Sequence, residues 1–206
     1  MSKLLEKRKK AVLDVATKLF IEKSIESVTM SDIAEAAQIG EATLYRYFGQ
    51  KENLVVECVT EIWKVVGQKY FDPHAFDMYE TGYKKVERFF GLFLTLYIEQ
   101  LSALKFINNF DNFVANRKID IEFLGDYNKI ILFAKTRFLD LYKEGLLDGS
   151  IQKGINADVY YYSSTKAIFA LCGKLSQQPI VASDTQANDL DQIKMLIRMI
   201  TNYIKE

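Results

Sequence analysis

Apolar residues recur at three- and four-residue steps along almost the whole chain, and no stretch alternates convincingly with period two, so the pattern predicts helices throughout. Val12, Ala16, Leu19 and Phe20 give a first helix its buried stripe, and Ile25 and Val28 lead into a second. Thr29 is placed to cap that second helix, with Asp32 favouring its positive end and Ile33, Ala34 and Ala37 forming a small inner face. Gln38-Ile39-Gly40 breaks the pattern, Ile39 being expected as a buried plug and Gly40 as the cap of a third helix, Glu41 to Phe48. Leu44 and Phe48 face inward on that helix, which leaves Thr43, Tyr45, Arg46 and Tyr47 for its outer face. Two short helices about a tight turn, the second rich in hydrogen-bond donors, are the outline of a helix-turn-helix reader of DNA.

Lys51 opens a longer helix whose stripe, Leu54, Cys58, Ile62, Val65 and Val66, continues to about Tyr70. Phe71-Asp72-Pro73-His74 then forces a loop, because the residue before proline resists helical angles. Further helices are expected at about Met78–Leu101, Ser102–Ala115, Ile121–Glu144, Ala157–Gln177 and Asp184–Lys205. Gly145 is a natural C-terminal cap with Asp148-Gly149 as a turn beyond it, Asn156 caps the next helix, and Ser183 with Gln186 has capping-box spacing. The predicted fold is therefore all-α: an N-terminal three-helix DNA-binding domain over 1–50, and a helical body over 51–206 whose first helix, 51–70, connects the two. The last helix carries Leu190, Ile193, Ile197, Ile200 and Ile204 at alternating three and four steps, with Leu196, Met199 and Tyr203 also apolar. Such a helix buries one side in the body and another against something else. Ser163, Ala167, Ala170 and Gly173 form a small-residue face on the helix before it, which by spacing alone fits intrachain packing as well as a seam between subunits.

The string TLYRYF, followed by Lys51 and Leu54 and preceded by Ala16, Leu19, Phe20, Thr29, Ile33, Ala34 and Ala37, resembles the signature of the tetracycline-repressor-like (TetR) family of bacterial transcriptional regulators. The match covers the chain to about residue 55; the family commonly has Gly where this sequence has Ser24, Gln38 and Ala42, and often Ser where it has Gly40. The resemblance implies operator DNA as a partner, with Thr43, Tyr45, Tyr47 and Lys51 at phosphate-contacting positions and Thr29 and Ala42 completing the DNA-facing set. By their chemistry Glu41 and Arg46 are the candidates for base reading, the carboxylate accepting from cytosine and the guanidinium donating to guanine. It further implies a homodimer, whose two reader helices span successive major grooves about 34–36 Å apart. On that footing the last two helices form a four-helix seam through Ser163, Ala167, Ala170, Gly173, Ile193, Ile197 and Ile200. It implies, finally, a repressor released by a small-molecule effector that enters the body.

Charge adds one refinement. The formal net charge is zero, so DNA binding must rest on a local patch, and Lys3, Lys7, Arg8, Lys9 and Lys10 against Glu6 alone supply one as a phosphate-contacting arm. Cys58 and Cys172, far apart among apolar neighbours, fit reduced core residues of a cytoplasmic protein. No signal peptide or membrane-spanning run is evident, since Glu87, Arg88 and Glu99 bracket the apolar stretch 86–98. All but four of the aromatic residues lie beyond residue 50, and Trp63, Phe89, Phe93, Tyr97, Phe106, Phe110, Tyr127 and Phe133 are candidates to line an effector cavity. Most aromatic stripes are simply core. Glu99 and Asp111 would orient a cationic effector, a solvated face being the plainer role for each. No catalytic constellation, metal-ligand spacing or cofactor motif is evident, the sole histidine, His74, standing in a Pro-containing loop. The chain is thus expected to be a regulator and not an enzyme, the alternative being a helical small-molecule or protein-interaction module that no longer reads an operator.

Overall fold

The computed structural model describes residues 3–70, 72–119, 124–177 and 186–206. Among these the fold is all-α, with α1 (Lys3–Glu22), α2 (Met30–Ala36), α3 (Glu41–Phe48), α4 (Lys51–Tyr70), α5 (Gly82–Glu99), α6 (Leu101–Arg117), α7 (Gly125–Asp148), α8 (Ala157–Leu175) and α9 (Asp189–Ile204). A short 3-10 turn, Pro73–Phe76, follows α4. Two compact units divide the chain: Met1–Val65 with Lys105–Ile130, and Val66–Leu104 with Ile131–Glu206.

The first unit is built on the stripe of α1, in which Leu13 is buried and Leu19, expected there, is only half-buried. Val12, Leu13, Ala16 and Phe20 are buried, as are Ile33 and Ala34 of α2, Leu44 and Phe48 of α3, and Leu54 and Cys58 of α4. The Phe20 ring stacks on Phe106 of α6, centroids 6.0 Å apart and planes 8° off parallel, so α6 contributes to this core although nothing in the local pattern of either helix announces it. Cys58 donates its thiol to the Leu13 carbonyl, and burial pushes its pKa up to about 12, which keeps it an inert core group.

In the second unit Phe138 of α7 sits at the centre of an aromatic cluster. Its ring lies 5.3 Å from Phe89 and 5.7 Å from Phe90 of α5, and 5.1 Å from Tyr161 of α8. Tyr160 and Tyr142 close the group, the Tyr160 hydroxyl donating to the Ile200 carbonyl of α9. The Tyr97 hydroxyl donates to Asp189 at the start of α9. An antiparallel bridge between Ile151 and Lys205 pins the end of the chain to the α7–α8 connection.

Three expectations need revising. Helix α7 does not stop at Gly145 but runs to Asp148, where Gly149 takes the left-handed conformation, φ +76°, that a helix C-terminus favours. Gly145 is instead a crossing point: a methyl group on Gly82 would overlap its backbone, and one on Gly145 would overlap the Ile151 side chain. Helix α5 begins at Gly82, with the Thr81 hydroxyl accepting from the Lys84 amide, not near Met78. Ser183 lies outside the described residues; Asn188 caps α9 by accepting from the Leu190 and Asp191 amides. Asn156 caps α8 as expected, accepting from the Val159 amide.

Candidate nucleic-acid interface

The reader motif is fixed by three local devices. At its start Thr29 and Asp32 form a reciprocal capping box: the Thr29 hydroxyl accepts from the Asp32 amide, and the Asp32 carboxylate accepts from the Thr29 amide at 2.8 Å and its hydroxyl at 2.7 Å. Those bonds, the backbone one foremost, hold the Asp32 carboxyl below its ordinary pKa. At the turn, the Ile39 amide donates to the Ala34 carbonyl and the Gln38 amide to Glu35, the bond pair that closes a helix through a left-handed residue. That residue is Gln38, φ +55°, and Ser24 in the preceding loop also has positive φ, +131°. Two of the three positions where the family commonly has Gly are therefore positions where Gly is the cheaper residue. At the third device, the Gly40 carbonyl accepts from the Thr43 and Leu44 amides and starts α3. Gly40 itself has extended backbone, φ −70°, and open space about it.

On α3, Glu41, Ala42, Tyr45 and Arg46 are exposed and Thr43 and Tyr47 half-buried. The Arg46 guanidinium lies 5.8 Å from the Tyr47 ring centroid, which orients both. Thr43, Arg46 and Tyr47 border an open hollow of about 490 Å³ whose other wall includes Arg8, Val12 and Val15 of α1. Ile39 is half-buried in that hollow's floor, so the expected plug is partly open. The basic segment belongs to helix α1 and brings Arg8 to the hollow, with Lys9 over the Phe48 ring at 5.1 Å and Lys10 in a loose pair with Glu61 at 3.8 Å. Lys51 is less open than a free phosphate contact would be. Its ammonium donates to the Glu26 carbonyl at 3.2 Å, and burial first, then the Arg117 guanidinium, holds its pKa below the usual lysine value.

The other candidate residues separate into distinct groups. Trp63, Phe106, Phe110 and Tyr127 belong to the first unit, where Phe110 and Tyr127 pack at 5.2 Å; Phe89, Phe93, Tyr97 and Phe133 belong to the second. Phe89 and Phe93 pack in the aromatic cluster, Phe93 against Phe169 at 4.9 Å, and Phe133 is 51% exposed. Glu99 accepts from Lys69 at 2.6 Å and Tyr70 at 2.7 Å.

On the last two helices, Ser163, Ala167 and Ala170 are exposed, but Gly173 is buried. Ile193 is fully buried and Ile197 only 8% exposed within the single chain, so these two are core positions and not seam positions. The outward apolar residues of α9 are Met195, Met199 and Tyr203, with Ile200 half-buried between. Ser163, Ile200 and Tyr203 share a shallow groove of about 420 Å³ between α8 and α9.

A capped helix, a turn closed through Gln38 and a second helix presenting hydroxyls and a guanidinium define a DNA-binding regulator of the helix-turn-helix class. The sequence profile of "Bacterial regulatory proteins, tetR family" matches residues 12–58, the segment those devices organise. The chain is 26% identical over 159 residues to the HTH-type transcriptional repressor KstR2 of Mycolicibacterium smegmatis, covering 75% of this chain and 72% of that one. Its fold is that of the ketosteroid transcriptional regulator KstR2 of Mycobacterium tuberculosis, TM-score 0.67 at 16% identity over 97% of this chain and 95% of that one. It is likewise that of the regulator FadR of Bacillus subtilis in complex with stearoyl-CoA, TM-score 0.65 at 17% identity over 95% and 98%. Over residues 12–58 the chain carries the N-terminal segment described for the tetR family of bacterial regulatory proteins.

Proposed function

We propose that the chain is a homodimeric, cytoplasmic transcriptional repressor that leaves its operator when a small molecule enters the body. The observation that carries the operator reading is the outward set on α3, in which Thr43, Arg46 and Tyr47 face one hollow with Arg8 opposite, while Glu41 and Tyr45 stay exposed. A backbone phosphate suits that hollow, because hydroxyl and guanidinium donors converge on it. Subunit pairing is supported by the outward Met195, Met199 and Tyr203 on α9 beside the small exposed face Ser163, Ala167 and Ala170 on α8. An apolar patch rimmed by polar residues is the usual mark of an association surface.

The effector class follows from the body's composition, which is aromatic and short of embedded charge, and suits an apolar or flat aromatic compound, neutral or cationic. Stearoyl-CoA, which occupies the similarly folded FadR of Bacillus subtilis, adds a long acyl chain as a probe of the same character. The test is fluorescence anisotropy on a duplex taken from DNA upstream of the chain's own gene, against an unrelated duplex, with and without a panel of stearoyl-CoA and apolar or cationic aromatics. A repressor of this kind prefers the upstream duplex, and an effector lowers that affinity by the factor by which DNA lowers the effector's own binding. Equal affinity for both duplexes would sink the operator reading and favour a ligand-binding module. Hits that raise the melting temperature yet leave DNA affinity unchanged would break the coupling.

A further inference from the structure

Three elements of the first unit meet at one edge of the reader motif, and the end of α6 brings there a cation from outside the motif. The loop before α2 offers the Glu26 carbonyl, on which the Lys51 ammonium of α4 rests at 3.2 Å. Beside Lys51, in the first turn of α4, the Glu52 carboxylate stands 3.8 Å from the Arg117 guanidinium at the end of α6. The Arg117 side chain is 54% exposed, and its stem is steadied by the guanidinium's position 5.8 Å from the Phe113 ring centroid. Lys118 follows in the left-handed conformation, φ +52°, and the Ile119 amide donates to the Val114 carbonyl while the Lys118 amide donates to Ala115. That bond pair is the same helix-closing device that ends α2, so Arg117 and Lys118 stand on a fixed turn and not on a loose tail.

We infer that the end of α6 is a second phosphate-contacting element, with Arg117 taking a DNA backbone phosphate next to the one at Lys51. The inference rests on the operator reading and extends the interface onto a helix that lies outside the reader motif. Arg117 suits the role because a planar guanidinium grips a phosphate through two parallel bonds, and because its partner in the free protein is only loosely held. A single contact at 3.8 Å, with the Arg117 side chain 54% exposed and that of Glu52 27%, is loosely held and yields to a competing anion. Glu52 then acts as a placeholder: it orients the guanidinium without DNA and opposes the phosphate once DNA arrives. Thr29 lies in the same loop region, and its capping box leaves Asp32 occupied, so that carboxylate does not compete for Arg117.

The test uses the full-length dimeric protein and measures affinity for the upstream and the unrelated duplex across a salt series. Arg117→Gln should weaken binding to both duplexes alike, severalfold, and reduce the slope of log affinity against log salt by about 1, one counterion fewer being released. Glu52→Gln should do the opposite and tighten binding, since it removes a negative charge beside the phosphate. A role confined to tying α4 to α6 predicts the same sign for both variants, because each breaks the same pair. Melting curves and sedimentation of both variants should match wild type. An unchanged salt slope for Arg117→Gln, with wild type binding DNA, overturns the inference and leaves the operator reading intact. Equal wild-type affinity for the two duplexes overturns operator specificity alone, while the slopes still decide the role of Arg117. A wild type that binds neither duplex overturns both.

Discussion

In the first unit the reader motif is shaped by bonds that span three to five residues: the Thr29–Asp32 box, the turn through Gln38 and the Gly40 start of α3. The second unit is shaped by rings that meet across long stretches of chain, Phe138 of α7 touching Phe89 and Phe90 of α5 and Tyr160 and Tyr161 of α8. The relatives differ in the same way. A family profile matches residues 12–58, whereas over three quarters of the chain the likeness thins to 26% identity, and over nearly all of it to a shared fold at 16% identity. Short-range devices demand particular residues at particular spacings. An aromatic core demands only volume and shape, so many sequences satisfy it.

The largest effect that would test this contrast lies in the aromatic core. Phe138→Ala removes a fully buried ring from the centre of the cluster and should cost about 3–5 kcal/mol in urea unfolding. Thr29→Ala, which removes one half of the capping box, should cost only about 1 kcal/mol. Comparable losses from the two variants would mean that the reader motif carries more of the stability than its bonds suggest.

Next in size is the distinction between the inner and outer faces of α9. Ile197→Glu places an unpaired charge where the side chain is 8% exposed and should cost about 3 kcal/mol or more, with loss of helical signal. Ala170→Arg on the exposed face of α8, or Met199→Glu on the outer face of α9, should keep the helical signal, sediment as a monomer and lose operator affinity. If Ala170→Arg and Met199→Glu leave a dimer in the ultracentrifuge, subunit pairing uses another surface.

That distinction also marks what was legible in the sequence. Helix number and order were readable because an amphipathic stripe repeats with the helical period, and the motif was readable because its caps are local. The stripe of α9 was not resolvable into faces, since Ile193 and Ile197 and the neighbouring Met195 and Met199 are all apolar and only the fold says which row meets α5 and α8. Gly145 looked like a helix end because a glycine's local habit is to terminate; its close crossing with Gly82 is a fact about a residue far away in the chain. The nearness of Arg117 to the start of α4 is a fact of the same kind, since no spacing in the sequence relates the two. The eight aromatics expected at a cavity divide between two units, because composition says that rings are plentiful and not where the fold places them.

A smaller effect comes from the left-handed residue that closes α2. A side chain at φ +55° costs about 1–2 kcal/mol relative to Gly, while Gly's extra freedom in the unfolded chain takes back about 0.4–1 kcal/mol. Gln38→Gly should therefore stabilise the protein by about 0.5–1 kcal/mol, read as a rise in the urea midpoint at constant slope. Ser24→Gly at φ +131° should act in the same direction. Destabilisation by Gln38→Gly would mean that the glutamine side chain makes up for its backbone, and that departure from the family's habit would then be functional.

The smallest effect is a titration in the 3-10 turn after α4, where a local device of the reader-motif kind occurs in the second unit. His74 Nδ1 lies 2.8 Å from Asp77 Oδ2, and that hydrogen bond, backed by the Asp77 charge, raises the His74 pKa above its ordinary 6.5 while the same bond lowers that of Asp77 below 3.8. A raised histidine pKa stabilises the folded form fully below 6.5 and loses that contribution as pH climbs through the folded value. A lowered carboxyl pKa contributes above 3.8 and is lost as pH falls through its own folded value, so the pair favours the fold most between those two limits. Both groups are fully exposed, and solvent screening keeps the effect on stability slight. Because His74 is the sole histidine, its imidazole resonances report it without assignment, and a folded-state titration midpoint above 6.5 that drops in Asp77→Asn is the expected result. A midpoint that is identical in Asp77→Asn would show that exposed short-range bonds at this turn are not kept in solution, and would confine such devices to the reader motif.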